Sequence, residues 1–413
     1  KLNNGFIEAN ISQVIWRYTL PMFGAILALL AYDLLEASLL AQNSTEILTS
    51  LGFTVPITTA MTALAIGTSI RCNNKVVKFA CVANEKLNET ITSSLIISAI
   101  IILSFSFIAL IFGDDLLTLL GNNKWQGHTE STQTTATLNQ QSSYMTVRYL
   151  GWFFLALIWQ VNSILRALGM TKLASGIMLS WLGFKSILVV ILSLPESDYY
   201  QVGLVAITYT HGVSDLLFAC ISFYFLKRAT KITLPKLAHI KQALKARKHD
   251  SFLVMSQQLI TPISMAVLTV IAANIDPSFV AAFAFLFRME ALFLLLPMVL
   301  TTSMPAIIGT NYWSGHMSRV KEAYFITFIT VAVSQSTLAV VLYINSDLLS
   351  YFICPESAVA HLITNFLIWV PIGYIGAGCA IVYQSCLNSE GKTLQASSVG
   401  IVHRLILLLP IAF

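Results

Sequence analysis

The sequence predicts an all-α polytopic membrane protein, built as two six-helix bundles related by a pseudo-two-fold axis along the membrane normal. Three observations predict it. Of the 413 residues, 56% are hydrophobic and only 10% are charged, with a mean hydropathy of +0.75; a soluble surface of this size needs more charge. The apolar residues fall in blocks of roughly 20, the length of a helix across the hydrocarbon. Finally, the second half of the chain repeats features of the first, the mark of duplicated bundles.

Taken in order, the spans are expected at 12–41, 46–70, 88–113, 143–168, 173–195, 200–226, 253–275, 279–309, 318–344, 358–387 and 393–413. Charged connections separate them. The first carries Glu46, the third Asp114, Asp115 and Glu130, the fifth Glu196 and Asp198, the seventh Asp276, and the ninth Asp347 and Glu356. Between these lie basic connections: Arg71, Lys75, Lys78 and Lys86, then Lys172, then "LKRATKITLPKLAHIKQALKARKHD", then Arg319 and Lys321, then Lys392. Lys124 alone breaks the acidic set. Basic connections stay cytoplasmic, which places the N-terminus inside. "KLNNGFIEANISQVIWRYTL" reads as an amphipathic lead into the first span rather than a cleavable signal. The chain opens on a lysine and stops within "RLILLLPIAF", so a twelfth span is expected beyond its end.

The net charge of +5 reflects this loop bias and fits anchoring to anionic headgroups better than nucleic acid binding. Cys72, Cys81, Cys220, Cys354, Cys379 and Cys386 show neither disulfide nor zinc spacing and read as small packing residues. No metal site is expected.

The repeat is clearest at two turns, "SILRALGMTKLASG" from Ser163 and "SCLNSEGKTLQASS" from Ser385. "LGFTVPITTAMTALAIGTSI" and "AFAFLFRMEALFLLLPMVLTTSM" echo each other more faintly. The expected organisation is a bundle over 1–226, a basic linker over 227–252 and a second bundle over 253–413. Bundles duplicated in parallel can rock against each other, which suits a transporter.

These residues resemble a known family. "VAAFAFLFRMEALFLLLPMVLTTSMPAIIGTNYWSGHMSRVKEAY" is similar to the eighth-span signature of the multidrug and toxic compound extrusion (MATE) transporters, and the two turns resemble those after its fourth and tenth spans. First-span carboxylates with a glutamate in the eighth span resemble the DinF-like branch. The resemblance implies a secondary transporter of the bacterial inner membrane, expected to act as a monomer without cofactor. It would export cationic or amphipathic drugs against inward protons or sodium ions.

Charged residues inside the spans are the candidate machinery, because each costs several kcal/mol in hydrocarbon unless paired. Asp33 and Glu36, in "LALLAYDLLEASLL", sit three positions apart and share a helical face. Pro21 and Gly24 loosen the helix before them. A carboxyl group poised between burial and a nearby cation takes up and loses protons, and a protonated acid no longer holds a cationic cargo. Lys185 is expected to pair with Asp33 or Glu36; the family usually has asparagine near that position and often an acid one turn on, where this chain has Lys185 and Val189. A fixed ammonium repels sodium and favours protons. Asp215, with His211 one turn before it, is a candidate relay. Asn162, Thr208 and Tyr209 are candidate pocket residues. In the eighth span, Arg288 and Glu290 are two positions apart and do not face each other, so structure and coupling are both open to them.

An enzyme is disfavoured: neither H-E-x-x-H nor G-x-S-x-G occurs. The span count and repeat disfavour a receptor. The closest alternative is a lipid or lipid-linked oligosaccharide flippase, which needs a basic groove for phosphate groups.

Overall fold

In hydrocarbon every backbone N–H and C=O needs a partner within the protein, and a helix supplies its own. The computed structural model describes residues 5–43, 45–121, 132–192, 203–230, 248–275, 289–353 and 357–412. Eleven long helices account for most of them: α1 (Ile11–Asn43), α2 (Thr45–Val82), α3 (Leu87–Leu119), α4 (Thr132–Ala167), α5 (Thr171–Leu192), α6 (Gly203–Ala229), α7 (Lys248–Ile275), α8 (Leu295–Trp313), α9 (Met317–Ile344), α10 (Ser357–Ser389) and α11 (Thr393–Ala412). No strand occurs among the described residues. Among the described residues, eight helices contain a stretch long and apolar enough to cross a membrane.

Helix α3 shows which solvent the fold is made for. It buries Ser93, Ser94, Ser98 and Ser106 and exposes Leu103, Phe107, Ile111 and Phe112. A soluble helix would do the reverse. Small polar residues turned inward let helices approach closely and hydrogen-bond across the contact. Ser98 Oγ accepts from Gln160 Nε2 at 2.9 Å, and the Ser106 hydroxyl donates to the Tyr149 carbonyl. Gly113 lies so close to Tyr149 that an added Cβ would stand 2.7 Å from its ring.

Several boundaries shift by a few residues; the three largest departures from the sequence expectation each have a physical reason. Helix α2 runs to Val82 rather than residue 70, because its polar residues find partners in the bundle: Asn73 Nδ2 donates to the Ser163 carbonyl at 2.9 Å, and Arg71 is buried. Arg71, Lys75 and Lys78 therefore belong to a helix, not a loop. Helix α4 starts at Thr132 rather than 143, and Gln141 Nε2 donates to the Ser50 carbonyl at 2.7 Å. The eighth span breaks: residues 289–293 are helical, Leu294 turns, and α8 resumes at Leu295. Pro297 explains the break, because its nitrogen cannot donate and its ring crowds the carbonyl four residues back. Arg288 and most of the predicted linker, residues 231–247, lie outside the described residues.

The repeat extends to individual hydrogen bonds. Gly169 (φ 80°) and Gly391 (φ 82°) end α4 and α10 in the left-handed region, where only glycine is unstrained. In each turn the glycine N–H bonds three residues back and the next N–H bonds five back. The Ser163 hydroxyl donates to the Ser69 carbonyl on α2 at 2.9 Å, and its counterpart Ser385 donates to the Thr301 carbonyl on α8 at 3.1 Å. Likewise, the Trp152 indole donates to the Met61 carbonyl at 2.8 Å, while Tyr374 packs on Phe293 with ring centres 6.1 Å apart. Helix α4 thus holds α2 as α10 holds α8.

The two halves close on each other near the end that carries the basic connections. Thr19 and Ser303 share a buried hydroxyl bond of 2.8 Å. Arg319 donates to the carbonyls of Ala9 (2.6 Å) and Phe6 (3.2 Å) and to Asn311 Oδ1 (3.1 Å), and Asn311 Nδ2 also donates to Phe6. Lys78 lies 4.2 Å above the Trp313 ring.

Candidate functional site: a charged cluster in the N-terminal half

Four helices of the first half carry ionisable residues inward, where lipid would penalise them and each can be paired. Helix α1 brings Tyr32 and Glu36, α4 brings Tyr144 and Arg148, α5 brings Trp181 and Lys185, and α6 brings His211 and Asp215. Two groups result. In the shallower one, His211 Nε2 lies 3.0 Å from Glu36 Oε2 and His211 Nδ1 lies 2.6 Å from Arg148 Nη1. Arginine has only donors, so Nδ1 must accept. The ring is then neutral, and its Nε2–H donates to the Glu36 carboxylate. Tyr32 and Tyr144 pack edge-on against this imidazole, with ring centres 6.0 and 6.2 Å away. The Tyr32 hydroxyl lies beside Glu36 but outside hydrogen-bond geometry.

One helical turn along α6, Asp215 anchors the deeper group. Its Oδ1 accepts from Lys185 Nζ at 3.2 Å and from the Trp181 indole at 3.0 Å. The ammonium also stands over the Trp181 and Tyr32 rings, 4.9 and 5.2 Å from their centres, which adds cation–π attraction. Both members of the ion pair are nearly inaccessible, at 3% and 4%. Along α6 at ~1.5 Å per residue, His211 lies ~12 Å and Asp215 ~18 Å from the first described turn. Between the groups, Arg148, Trp152, His211 and Asp215 help line a cavity of about 10 Å³.

These pairings correct two expectations. Lys185 pairs with Asp215, not with Asp33 or Glu36, because α5 turns Lys185 toward α6. His211 pairs with Glu36 and Arg148 rather than Asp215, because its ring swings across to α1 and α4. Glu36 is buried whereas Asp33 is half-buried, and both are partnered. Thr208 is buried; Tyr209 is 57% exposed and does not join the cluster. Asn162 is occupied elsewhere, donating to the Ala174 carbonyl at 2.8 Å. Glu290 lies in the second half within reach of Tyr374. Arg148 is the residue that sequence reasoning passed over. The signal was present in "SYMTVRYLGWFF", a guanidinium inside an aromatic run with no neighbouring acid on its own helix. A larger cleft of about 470 Å³ opens between Asp115, Thr118, Val270 and Asn274 and does not touch the cluster.

The MatE family pattern matches residues 254–413. Over its whole length the chain is 25% identical to a Shewanella oneidensis protein named an FAD transporter, covering 90% of that protein. Residues 254–413 thus carry the MatE pattern. Members of that family are transporters and not enzymes. Its fold matches a mutant of a Vibrio cholerae MATE transporter at TM-score 0.83 with 21% identity, over 95% of this chain and 86% of that one. An outward-facing multidrug resistance MATE transporter matches at 0.82 with 18% identity, over 96% and 86%. The charged cluster lies in the half that the family pattern does not cover.

Proposed function

We propose that this chain is a MATE transporter that exports amphipathic organic compounds in exchange for protons, with Glu36 and His211 as the exchanging pair. The observation that carries the reading is the buried Glu36–His211 contact at 3.0 Å. A proton on Glu36 removes the charge that the Nε2–H and any cationic cargo would share, so proton and cation compete for one carboxylate. The pair titrates as a unit with its neighbours. Asp33, one turn earlier on α1, extends the acidic face toward the cargo. Two fixed cations, Arg148 and Lys185, repel sodium and favour the proton. The basic end faces the cytoplasm of a bacterial inner membrane, and the transporter works as a monomer.

A second reading of the cargo is flavin dinucleotide. The relative's name supports it, and so do the two cations of the cluster, Arg148 and Lys185, which suit an anionic pyrophosphate better than an all-acidic pocket would. The sign of proton exchange separates the two. Purified protein in weak buffer is titrated with a cationic dye or with FAD. A competing cation expels protons; an anion, which stabilises the protonated acid, draws them in. Glu36→Gln abolishes either signal. No proton exchange with either probe, or an unchanged signal in Glu36→Gln, overturns the coupling.

A further inference from the structure

Arg148 stands between the two charged groups, and its partner is unusual. Among the described residues no carboxylate forms an ion pair with it. Among the described residues its one hydrogen bond goes to His211 Nδ1, at 2.6 Å, and its Nε is buried without a partner. A guanidinium so placed is costly; Glu36 and Asp215 attract it only from beyond salt-bridge distance, and its direct contact is the imidazole.

We propose that Arg148 is a proton gate, closing the route between the Glu36–His211 pair and Asp215. This rests on the proton-coupled reading above. The groups facing the imidazole are Tyr32 and Glu36 from α1, Tyr144 and Arg148 from α4, Lys185 from α5 and Asp215 on its own helix. A neutral imidazole relays a proton when one is added at Nδ1 while the Nε2 proton passes to the Glu36 carboxylate. The ring ends neutral in its other tautomer, and Glu36 becomes a carboxylic acid. The reverse transfer empties Glu36 toward Nδ1. Both directions need a free lone pair on Nδ1, and Arg148 occupies it with an N–H that it cannot give up. The cavity that Arg148, His211 and Asp215 border, about 10 Å³, is close to the space one water needs. With the guanidinium withdrawn, that water would bridge Nδ1 and Asp215. The gate therefore keeps protons from leaking inward through a cargo-free transporter.

The test uses proteoliposomes of the full chain holding a pH gradient, without cargo. Wild-type vesicles keep the gradient. Arg148→Met, which keeps the bulk and loses the donor, dissipates it roughly tenfold faster, the effect of a barrier lowered by about 1.4 kcal/mol. Adding His211→Asn to that variant restores tightness. Arg148→Gln, polar but too short to reach Nδ1, gives the same comparison should the methionine variant not fold. A tight Arg148 variant, or a leak that survives His211→Asn, overturns the gate. Cargo-driven proton exchange by the wild type in the same vesicles tests the coupling separately. Its presence beside a tight Arg148 variant refutes the gate alone, and its absence refutes the coupling.

Discussion

Neutralising Asp215 while leaving Lys185 charged is the most direct perturbation of the deeper group. At 3.2 Å the two charges attract by about 5 kcal/mol at an effective dielectric of roughly 20. Part of this only offsets the cost of bringing both out of water. Asp215→Asn removes the attraction but leaves the ammonium buried, with the Trp181 and Tyr32 rings returning about 1–2 kcal/mol. The net expectation is a loss of about 3 kcal/mol, in the range seen when one partner of a buried pair is removed. Lys185→Met strands the carboxylate and costs a similar amount. The double variant Lys185→Met/Asp215→Asn has no buried charge, and its amide still accepts from the Trp181 indole. It is expected within about 1 kcal/mol of wild type. Equilibrium unfolding in mixed micelles containing SDS measures all four proteins. Either a neutral Asp215→Asn or a double variant as damaged as the two singles together refutes the argument. Transport by the double variant then separates roles: export retained means a structural pair, export lost means the charges themselves are used.

Two further predictions come from the repeat and from the contact between halves. Gly169→Ala and Gly391→Ala each force a Cβ into the left-handed region and are expected to cost about 1–2 kcal/mol, the same within error because the two turns share one hydrogen-bond pattern; a neutral result at either site refutes the equivalence. Arg319→Ala removes the ties to Phe6 and Ala9, so a reporter made by Ala9→Cys is expected to react faster with a water-soluble maleimide, and an unchanged rate means that Arg319 does not hold the N-terminal segment.

The sequence by itself determined the all-helical membrane class, the rough position of the helices, the existence of the repeat and the list of costly charges. These follow from local quantities: transfer free energy summed over about 20 residues, and residue identities at matching offsets. Asp33 and Glu36 sharing a face also needed nothing beyond helical spacing. Only the tertiary structure decided which charge meets which. Lys185 to Asp215, and Glu36 through His211 to Arg148, depend on how four helices are rotated about their axes. A turn of a few tens of degrees moves a side chain by several ångströms, enough to exchange one partner for another, and apolar patterning barely registers it. The same reason hid the reach of α2 past residue 70. Arg71 and Asn73 look like residues at a membrane exit until Ser163, from a helix some 90 positions away, supplies the carbonyl that lets the helix continue.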